Sequence, residues 1–115
     1  MAAVLAKGTT TIHCAASDIY IEDLAKFLNK LGAKIKGIGT HNLKIEGVKK
    51  LNGTYHKISP DRIEAGTYAI AAGITKGNIK INNVQKSLFN GFIKELNAAG
   101  IKIEEISENS VEVTN

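Results

Sequence analysis

Two stretches of the chain place apolar residues on one side of a helix and charged residues on the other. In residues 19–32 the apolar side carries isoleucine, leucine and phenylalanine, and residues 87–100 repeat the arrangement. A glycine, Gly32 or Gly100, ends each stretch. Short runs such as TTTIH and NIKIN flank them and alternate polar with apolar residues, which is typical of strands. The pattern predicts that each half of the chain runs strand, helix, strand, strand.

The two halves also match each other residue by residue. AAVLAKG at residues 2–8 aligns with AAGITKG at residues 71–77, and the register continues beyond them. The later matches are Leu28 with Leu96, Asn29 with Asn97, Gly32 with Gly100, Lys34 with Lys102 and Ile35 with Ile103. We therefore predict two repeat units, residues 1–58 and 59–115, with a mixed α/β (α+β) fold and mixed sheets.

The first unit differs from the second at both of its ends. Compared with the helix that ends at Gly77, the helix that ends at Gly8 lacks its first half, and the strand expected before it is missing. We therefore expect the sequence to belong to a longer protein. Near its other end, Asn52 and Gly53 separate two alternating runs and predict a hairpin over residues 48–57. Open strand edges and the shortened helix predict that the chain self-associates.

The segment from Ser59 to Gly77 carries charge only near its ends. After Glu64 no charged residue occurs until Lys76, and every residue between them is apolar or small. Because an amphipathic surface helix keeps a polar side along its whole length, residues 65–75 are predicted to form a helix buried on all sides. We expect Ser59 to cap this helix, the following proline to take its first position and the Lys-Gly pair to end it.

The charged start of this helix has two interpretations. Asp61 and Glu64 lie where the positive end of the helix dipole favours acids, so their role can be to stabilise the helix, without any ligand. Alternatively, Asp61, Arg62 and Glu64 face a ligand, because helix N-termini help to bind anions. The pattern by itself leaves both interpretations open.

Composition limits the remaining classes of function. With 115 residues, of which 43% are hydrophobic and 23% charged, the chain suits one domain-sized core, and no stretch reaches the length of a membrane span. The opening MAAVLAKG has no basic leader, so we expect a cytoplasmic protein without a membrane partner. The net charge of +4 comes from dispersed lysines with few aromatics, which favours a Lys-rich surface over a nucleic-acid site.

The residues able to bind metals or act as nucleophiles form no recognisable motif. Cys14 is the only cysteine, which excludes an intrachain disulfide and a cysteine-based zinc site. His13, His41 and His56 show no ligand spacing, and we expect structural roles for them. The glycines of GIGTHN lack the third glycine of a dinucleotide-binding loop.

Two long strings give the chain a resemblance to a known family. GAKIKGIGT at residues 32–40 and PDRIEAGT at residues 60–67 resemble the middle of the UDP-N-acetylglucosamine 1-carboxyvinyltransferases, a family of enolpyruvyl transferases. The resemblance runs from Met1 through SVEV near the end of the chain, but it covers only a central part of a full-length member. It implies an inside-out α-β prism, in which repeated βαβαββ units pack buried helices behind sheets and the active site lies between two globular halves.

The resemblance also implies an activity. Members move the enolpyruvyl group of phosphoenolpyruvate to the 3′-hydroxyl of UDP-N-acetylglucosamine and release phosphate, without a metal or organic cofactor, as the first step of peptidoglycan synthesis. The substrate-cleft candidates in this chain are Asp18, Asp61, Arg62 and Glu64. The family's catalytic lysine, loop cysteine and other arginines belong to segments outside the matched one. We therefore predict no catalytic residue in this chain and no activity of the isolated chain.

The sequence departs from the family in one loop. Where members read ENAA followed by REPEIVD, this chain reads HCAA followed by SDIYIED, so that Cys14 replaces an asparagine. We expect Cys14 to be a small, half-buried thiol without function. Only Asp18 approximates the first acid of the family's loop, so a substrate contact from this loop rests on Asp18.

A second hypothesis comes from a different class of function. The chain would then be a free-standing, non-catalytic βα-repeat module that binds a polyanion or a protein through its Lys-rich faces. Salt-sensitive binding of nucleic acid would favour this hypothesis. Activity restored by adding the missing segments would favour the enzyme.

Overall fold

Each repeat folds around its own three-stranded sheet and its own core. The computed structural model describes all 115 residues and divides them into two units, Met1–Ser59 and Pro60–Asn115. No helix in either unit has the length and apolar character needed to cross a bilayer.

The first unit contains three strands and one α-helix. After a 3₁₀ turn at Ala2–Leu5, its elements are β1 (Thr9–His13), α1 (Ile19–Lys30), β2 (Lys34–Lys36) and β3 (Asn42–Glu46). β3 lies between the other two strands, with Ile45 opposite both Thr10 and Ile35. The inward side of the sheet and the apolar side of α1 form a core that includes Val4, Ala25, Leu28, Ile35, Leu43 and Ile45.

The second unit repeats this arrangement after a longer first helix. Its elements are α2 (Arg62–Ile74), β4 (Asn78–Asn82), a 3₁₀ turn at Lys86–Phe89, α3 (Ile93–Ala98), β5 (Lys102–Ser107) and β6 (Ser110–Thr114). β6 lies between β4 and β5, as β3 lies between β1 and β2. Phe89, Val111 and Val113 are the largest fully buried side chains of its core.

Both sheets are antiparallel between every pair of neighbouring strands, so the prediction of mixed sheets is wrong. The helix crossover makes β1 and β2 run in the same direction, as a βαβ unit requires. The third strand of the unit then inserts between them and is antiparallel to both. The α+β class is confirmed, and in both units the last strand lies between the other two.

The outer edge of β2 is covered by a side chain of α1. Asn29 Nδ2 donates to the carbonyl of Ile35 at 2.9 Å, and the Ile35 amide donates to Asn29 Oδ1 at 2.8 Å. The amide thus takes the place of a neighbouring strand and blocks pairing at that residue. The matched residue of the second unit, Asn97, makes no such bond to Ile103.

Two elements predicted from local pattern form differently. The helix predicted over residues 87–100 is split into the 3₁₀ turn and α3, with Asn90, Gly91 and Phe92 between them, because glycine weakens a helix interior. The hairpin predicted over residues 48–57 is wrong, because this segment contains no strand. The Asn52 amide instead donates to the carbonyl of Leu31 at 2.8 Å, at the end of α1.

Helix α2 is buried on one side only, so the prediction of burial on all sides is wrong for this chain. Its buried residues are all small: Ala65, Gly66, Ala69, Ala72 and Gly73. A Cβ atom at Gly73 would overlap the Ile101 side chain, which shows how closely the helix approaches the core. The opposite side exposes large apolar residues, among them Ile63 at 68% and Ile74 at 77%.

The cap of α2 lies two residues beyond the predicted cap, and the helix ends as predicted. Asp61, not Ser59, caps the helix, and Arg62 takes the first helical position expected for the proline. Ser59 turns away because its hydroxyl donates to Asp23 Oδ1 at 2.8 Å. At the other end the Gly77 amide donates to the carbonyl of Ala72 at 2.8 Å and closes the helix.

Candidate functional site

The first turn of α2 is held by the carboxylate of Asp61. One oxygen, Oδ1, accepts from the amide of Ile63 at 2.7 Å and from the amide of Glu64 at 3.1 Å. These bonds satisfy two of the four amides that a helix leaves unpaired at its start. An anion approaching this helix end therefore finds two of the amides already used, and a negative charge in place.

Beside this cap lies an open cavity of about 240 Å³. Its walls are the first two turns of α2 and the end of β4, and the lining includes Asp61, Glu64, Tyr68, Asn82 and Asn83. Asn83 adopts a left-handed conformation with φ of 62°, which short polar side chains tolerate better than others. The lining thus offers two carboxylates and two amides, and no lysine or arginine.

Arg62 follows the cap but does not line this cavity. Its side chain reaches the turn between the 3₁₀ helix and α3, where a Cβ atom added to Gly91 would lie 4.0 Å from Nη1. A larger residue at Gly91 would therefore contact the guanidinium. The structure brings Asp61 and Glu64 to one cavity and directs the only arginine of the chain elsewhere.

Asp18 lies in the first unit and caps α1. Its Oδ1 accepts from the amide of Tyr20 at 3.1 Å, and Glu22 follows in the first turn. Asp18 and Asp61 thus occupy the same position at the start of their helices. A contact of Asp18, Asp61, Arg62 or Glu64 with a substrate stays a prediction.

Cys14 is exposed, which corrects the expectation of a half-buried thiol. It follows β1 with a φ of 57°, in the left-handed region that few residues other than glycine adopt. The next residue, Ala15, returns to the interior and its amide donates to the carbonyl of His41 at 2.9 Å. The chain therefore turns at Cys14, and the turn leaves the thiol outside the core.

Each histidine is bonded to a protein partner. His13 Nδ1 lies 2.8 Å from Asn42 Oδ1, across the β1–β3 pair, and His41 Nδ1 lies 3.0 Å from the carbonyl of Ala15. His56 Nε2 lies 3.1 Å from Asp23 Oδ2. The first contact joins β1 to β3, the second joins the residue before β3 to the segment after β1, and the third joins the strandless segment to α1.

The contact of His56 belongs to a network that the sequence did not reveal. Asp23 receives the imidazole on Oδ2 and the hydroxyl of Ser59 on Oδ1. Burial tends to raise the pKa of Asp23, but the hydrogen bonds from His56 and Ser59, with the charge of His56, outweigh it and leave the pKa below 3.8. The carboxylate stands between the other two side chains, so the set lacks the serine–histidine contact of a hydrolase. Separations of 33 and 36 residues give no local signal of the network.

Comparisons with known proteins cover the whole chain. The family model of EPSP synthase (3-phosphoshikimate 1-carboxyvinyltransferase) matches residues 1–115. A UDP-N-acetylglucosamine 1-carboxyvinyltransferase 1 of Caldanaerobacter subterraneus is 52% identical over 91% of the chain and 25% of its own length. UDP-N-acetylglucosamine 1-carboxyvinyltransferases of Coxiella burnetii and Glaesserella parasuis are 46% and 49% identical over 98% and 96% of the chain, and over 26% of their own lengths.

The chain therefore spans about a quarter of the length of these curated relatives. The resemblance found in the two long strings is confirmed, because the relatives carry the name that those strings indicated. With a match from its first residue to its last, the chain belongs to the EPSP synthase family.

Proposed function

We propose that this chain is part of an enolpyruvyl transferase that converts UDP-N-acetylglucosamine in the cytoplasm, at the first step of peptidoglycan and cell-wall synthesis. The observation that carries the proposal is the identity of 46–52% with proteins of that name over 91–98% of the chain. Identity at this level extends over nearly every element of the chain and supports the same class of reaction.

The proposed reaction adds the 3′-hydroxyl of the sugar to C2 of phosphoenolpyruvate while C3 gains a proton. Loss of a proton from C3 and of phosphate from C2 then leaves the enolpyruvyl ether, so phosphate is the only product besides it. The phosphate and carboxylate of phosphoenolpyruvate call for fixed cations, preferably arginines. This chain supplies one arginine, Arg62, so further arginines would come from other parts of the enzyme.

The cavity beside α2 suits a different part of the substrates. Asp61, Glu64, Asn82 and Asn83 supply oxygen acceptors, and the two carboxylates repel phosphate. Hydroxyl and amide donors of an amino sugar match such a lining, whereas phosphoenolpyruvate does not. We assign the cavity to the sugar side of the substrate cleft and Arg62 to an anionic group, with Asp18 as a further cleft residue from the first unit.

The inside-out prism is also part of the proposal. The isoleucines on the outer side of α2 are costly to leave in water, at roughly 25 cal/mol for each Å² of apolar surface. In the longer enzyme this side would pack against further helices, and the helix would then be buried on all sides. Without those segments the chain is expected to lack turnover and to self-associate.

A chimera tests the proposal. The matching quarter of the Coxiella burnetii relative is replaced by residues 1–115, and phosphate released from phosphoenolpyruvate is measured with and without UDP-N-acetylglucosamine. We expect release that depends on the sugar nucleotide from the chimera and none from the isolated chain. A folded chimera without release, alongside an active parent, would overturn the proposal.

Substitutions in the chimera then test the assignment of residues. Arg62→Lys keeps the charge but loses bidentate geometry, and we expect a fall in kcat/KM of about tenfold or more. Glu64→Gln is expected to raise KM for the sugar nucleotide more than KM for phosphoenolpyruvate. Lys80→Gln on the outer face of the second sheet is the control and should change neither constant.

A further inference from the structure

The first sheet carries an open cavity of about 480 Å³ on the side of its polar residues. Its lining is polar apart from Ile35 and includes three lysines: Thr9, Asn29, Lys34, Lys36, Lys44 and Glu46. The volume lies within the range of small-molecule sites. None of the residues assigned to the substrate cleft lines this cavity.

The strand register places two of these lysines side by side. Along β2 and β3 buried aliphatic residues alternate with exposed polar ones, so the polar residues share the face of the sheet that points away from the core. Lys36 lies directly opposite Lys44, and Lys34 lies directly opposite Glu46. Residues in this position have Cβ atoms about 5 Å apart. The ammonium groups of Lys36 and Lys44 can therefore reach the same ligand group.

Only one of the three lysines is neutralised by an acid. Lys34 Nζ donates to Glu46 Oε1 at 2.7 Å. The hydrogen bond and the charge of Lys34, followed by the charges of Lys36 and Lys44, lower the pKa of Glu46 against the opposing effect of burial. Lys36 and Lys44 form no ion pair of their own. The cavity therefore keeps two uncompensated positive charges next to each other.

The repeat does not require this excess of positive charge. Like charges directly opposite each other destabilise a pair of strands. The matching face of the second sheet carries equal numbers of lysines and glutamates, namely Lys80, Lys102, Glu104 and Glu112, so its charges balance. A local arrangement that opposes stability without a compensating contact is expected at functional sites. The excess charge on the first sheet therefore points to an anionic ligand.

The lining restricts the class of anion. The ammonium group of lysine is a compact point charge that suits phosphate. No aromatic side chain lines the cavity, so nucleic-acid bases find no surface on which to stack. Thr9 offers a hydroxyl group, and Asn29 Nδ2 has a second N–H besides the one that bonds Ile35. A phosphate ion would fill only part of the cavity, which leaves this polar part for a hydroxylated remainder of the ligand.

We propose that this cavity binds a small hydroxylated phosphate ester, with its phosphate group between the ammonium groups of Lys36 and Lys44. Hydroxyl groups of the ester bond to the side chains of Thr9 and Asn29. The site goes beyond the proposed transferase reaction and does not rest on it, because its lining includes none of the cleft residues.

Titration of the 115-residue chain with ribose 5-phosphate at constant ionic strength, followed by the lysine side-chain signals in NMR spectra, tests the proposal. Ribose lacks the phosphate, and inorganic phosphate lacks the sugar, so the two are matched control ligands. We expect saturable binding of ribose 5-phosphate, no saturation by ribose, and inorganic phosphate that binds about threefold more weakly, as the loss of one or two hydrogen bonds predicts. Inorganic phosphate that binds at least as tightly would show binding of a free anion only and would overturn the proposal, as would saturation by ribose.

Lysine variants locate the site. Lys36→Gln and Lys44→Gln each remove one charge from an exposed surface without opening the core, and we expect each to weaken ribose 5-phosphate about threefold. Lys80→Gln, on the matching face of the second sheet, should leave the affinity unchanged. Equal effects of the three variants would show a response to net charge alone and would overturn the proposal.

An acid variant should change the affinity in the opposite direction. Glu46→Gln removes the negative charge of the cavity and releases Lys34, so we expect ribose 5-phosphate to bind about threefold more tightly. Glu112→Gln is the matched control in the second sheet and should have no effect. Unchanged or weaker binding by Glu46→Gln would overturn the proposal. A short thymidine oligonucleotide that displaces ribose 5-phosphate at a lower concentration of phosphate groups would assign the face to nucleic acid and overturn it as well.

Discussion

His56 Nε2 lies 3.1 Å from Asp23 Oδ2 and joins the strandless segment to α1. Because the folded pKa of Asp23 lies below its ordinary value of 3.8, the unfolded chain binds a proton there more readily than the folded chain. The contribution of ionised Asp23 to the free energy of unfolding is therefore fully present above about pH 4, and it is lost as the pH falls through the folded pKa. We expect the free energy of unfolding, measured in urea, to fall over this acid range.

Asp23→Asn tests the source of that dependence. It should remove this part of the pH dependence and lower the free energy of unfolding at neutral pH by about 1–3 kcal/mol, because His56 loses its charged partner. Glu105→Gln, at an exposed acid of β5, is the control and should leave both quantities unchanged. An acid transition of the same size in Asp23→Asn would contradict the assignment.

Lys36 on β2 lies directly opposite Lys44 on β3, whereas Lys34 is opposite Glu46 and bonds it at 2.7 Å. Like charges across a strand pair are destabilising, so Lys36→Glu should raise the free energy of unfolding by about 0.5 kcal/mol at low salt. The gain should shrink in 1 M salt, where charges are screened within about 3 Å. Chemical denaturation at both salt concentrations measures it.

The second unit offers the matched control for this change. Lys80 on β4 lies opposite Glu112 on β6, so the same substitution there places two acids across the pair. Lys80→Glu should therefore lower the free energy of unfolding at low salt. Changes of equal sign in the two variants would show that cross-strand charge does not determine the effect.

Lys76 holds the left-handed position that ends α2, with φ of 50°. Glycine occupies this position after α1 and α3, where Gly32 and Gly100 have φ of 102° and 90°. Because glycine avoids the steric cost of this conformation, Lys76→Gly should raise the free energy of unfolding by about 0.5–1 kcal/mol. Gly100→Ala is the opposite control and should lower it by about 1 kcal/mol. Thermal and urea unfolding measure both changes. An unchanged free energy of unfolding in Lys76→Gly would contradict the prediction.

Local pattern predicted most elements because their causes are local. The alternation of polar and apolar residues predicted β1 and β4 at the residues where they are observed. The apolar side of the helix and the glycine that ends it predicted α1. The hairpin failed because Asn52 and Gly53 specify only a turn, while the bonding partners of this segment, Leu31 and Asp23, lie elsewhere in the chain. No spacing rule within the segment reports such partners.

Of the two walls of the cavity in the second unit, only the wall formed by α2 could be predicted from the sequence. Asp61 and Glu64 were found because charge at the start of an otherwise apolar helix is visible in the sequence. Asn82 and Asn83 complete the cavity from β4, and the fold alone brings them to that helix. The absence of charge in α2 after Glu64 likewise indicated an apolar surface, but it could not show which part of that surface is covered in this chain.

The outer side of α2 carries an apolar stripe formed by Ile63, Ile70 and Ile74, which lie on one side of the helix and are 44–77% exposed. Exposed stripes of this kind recruit partners, and Asn29 already covers the edge of β2, so we expect copies of the chain to associate through the stripe. Sedimentation velocity over micromolar concentrations should show association that Ile70→Lys with Ile74→Lys abolishes. Ile106→Lys, at an isoleucine 45% exposed on β5, should leave it intact. A strictly monomeric parent chain, or equal loss of association in the control, would contradict the prediction.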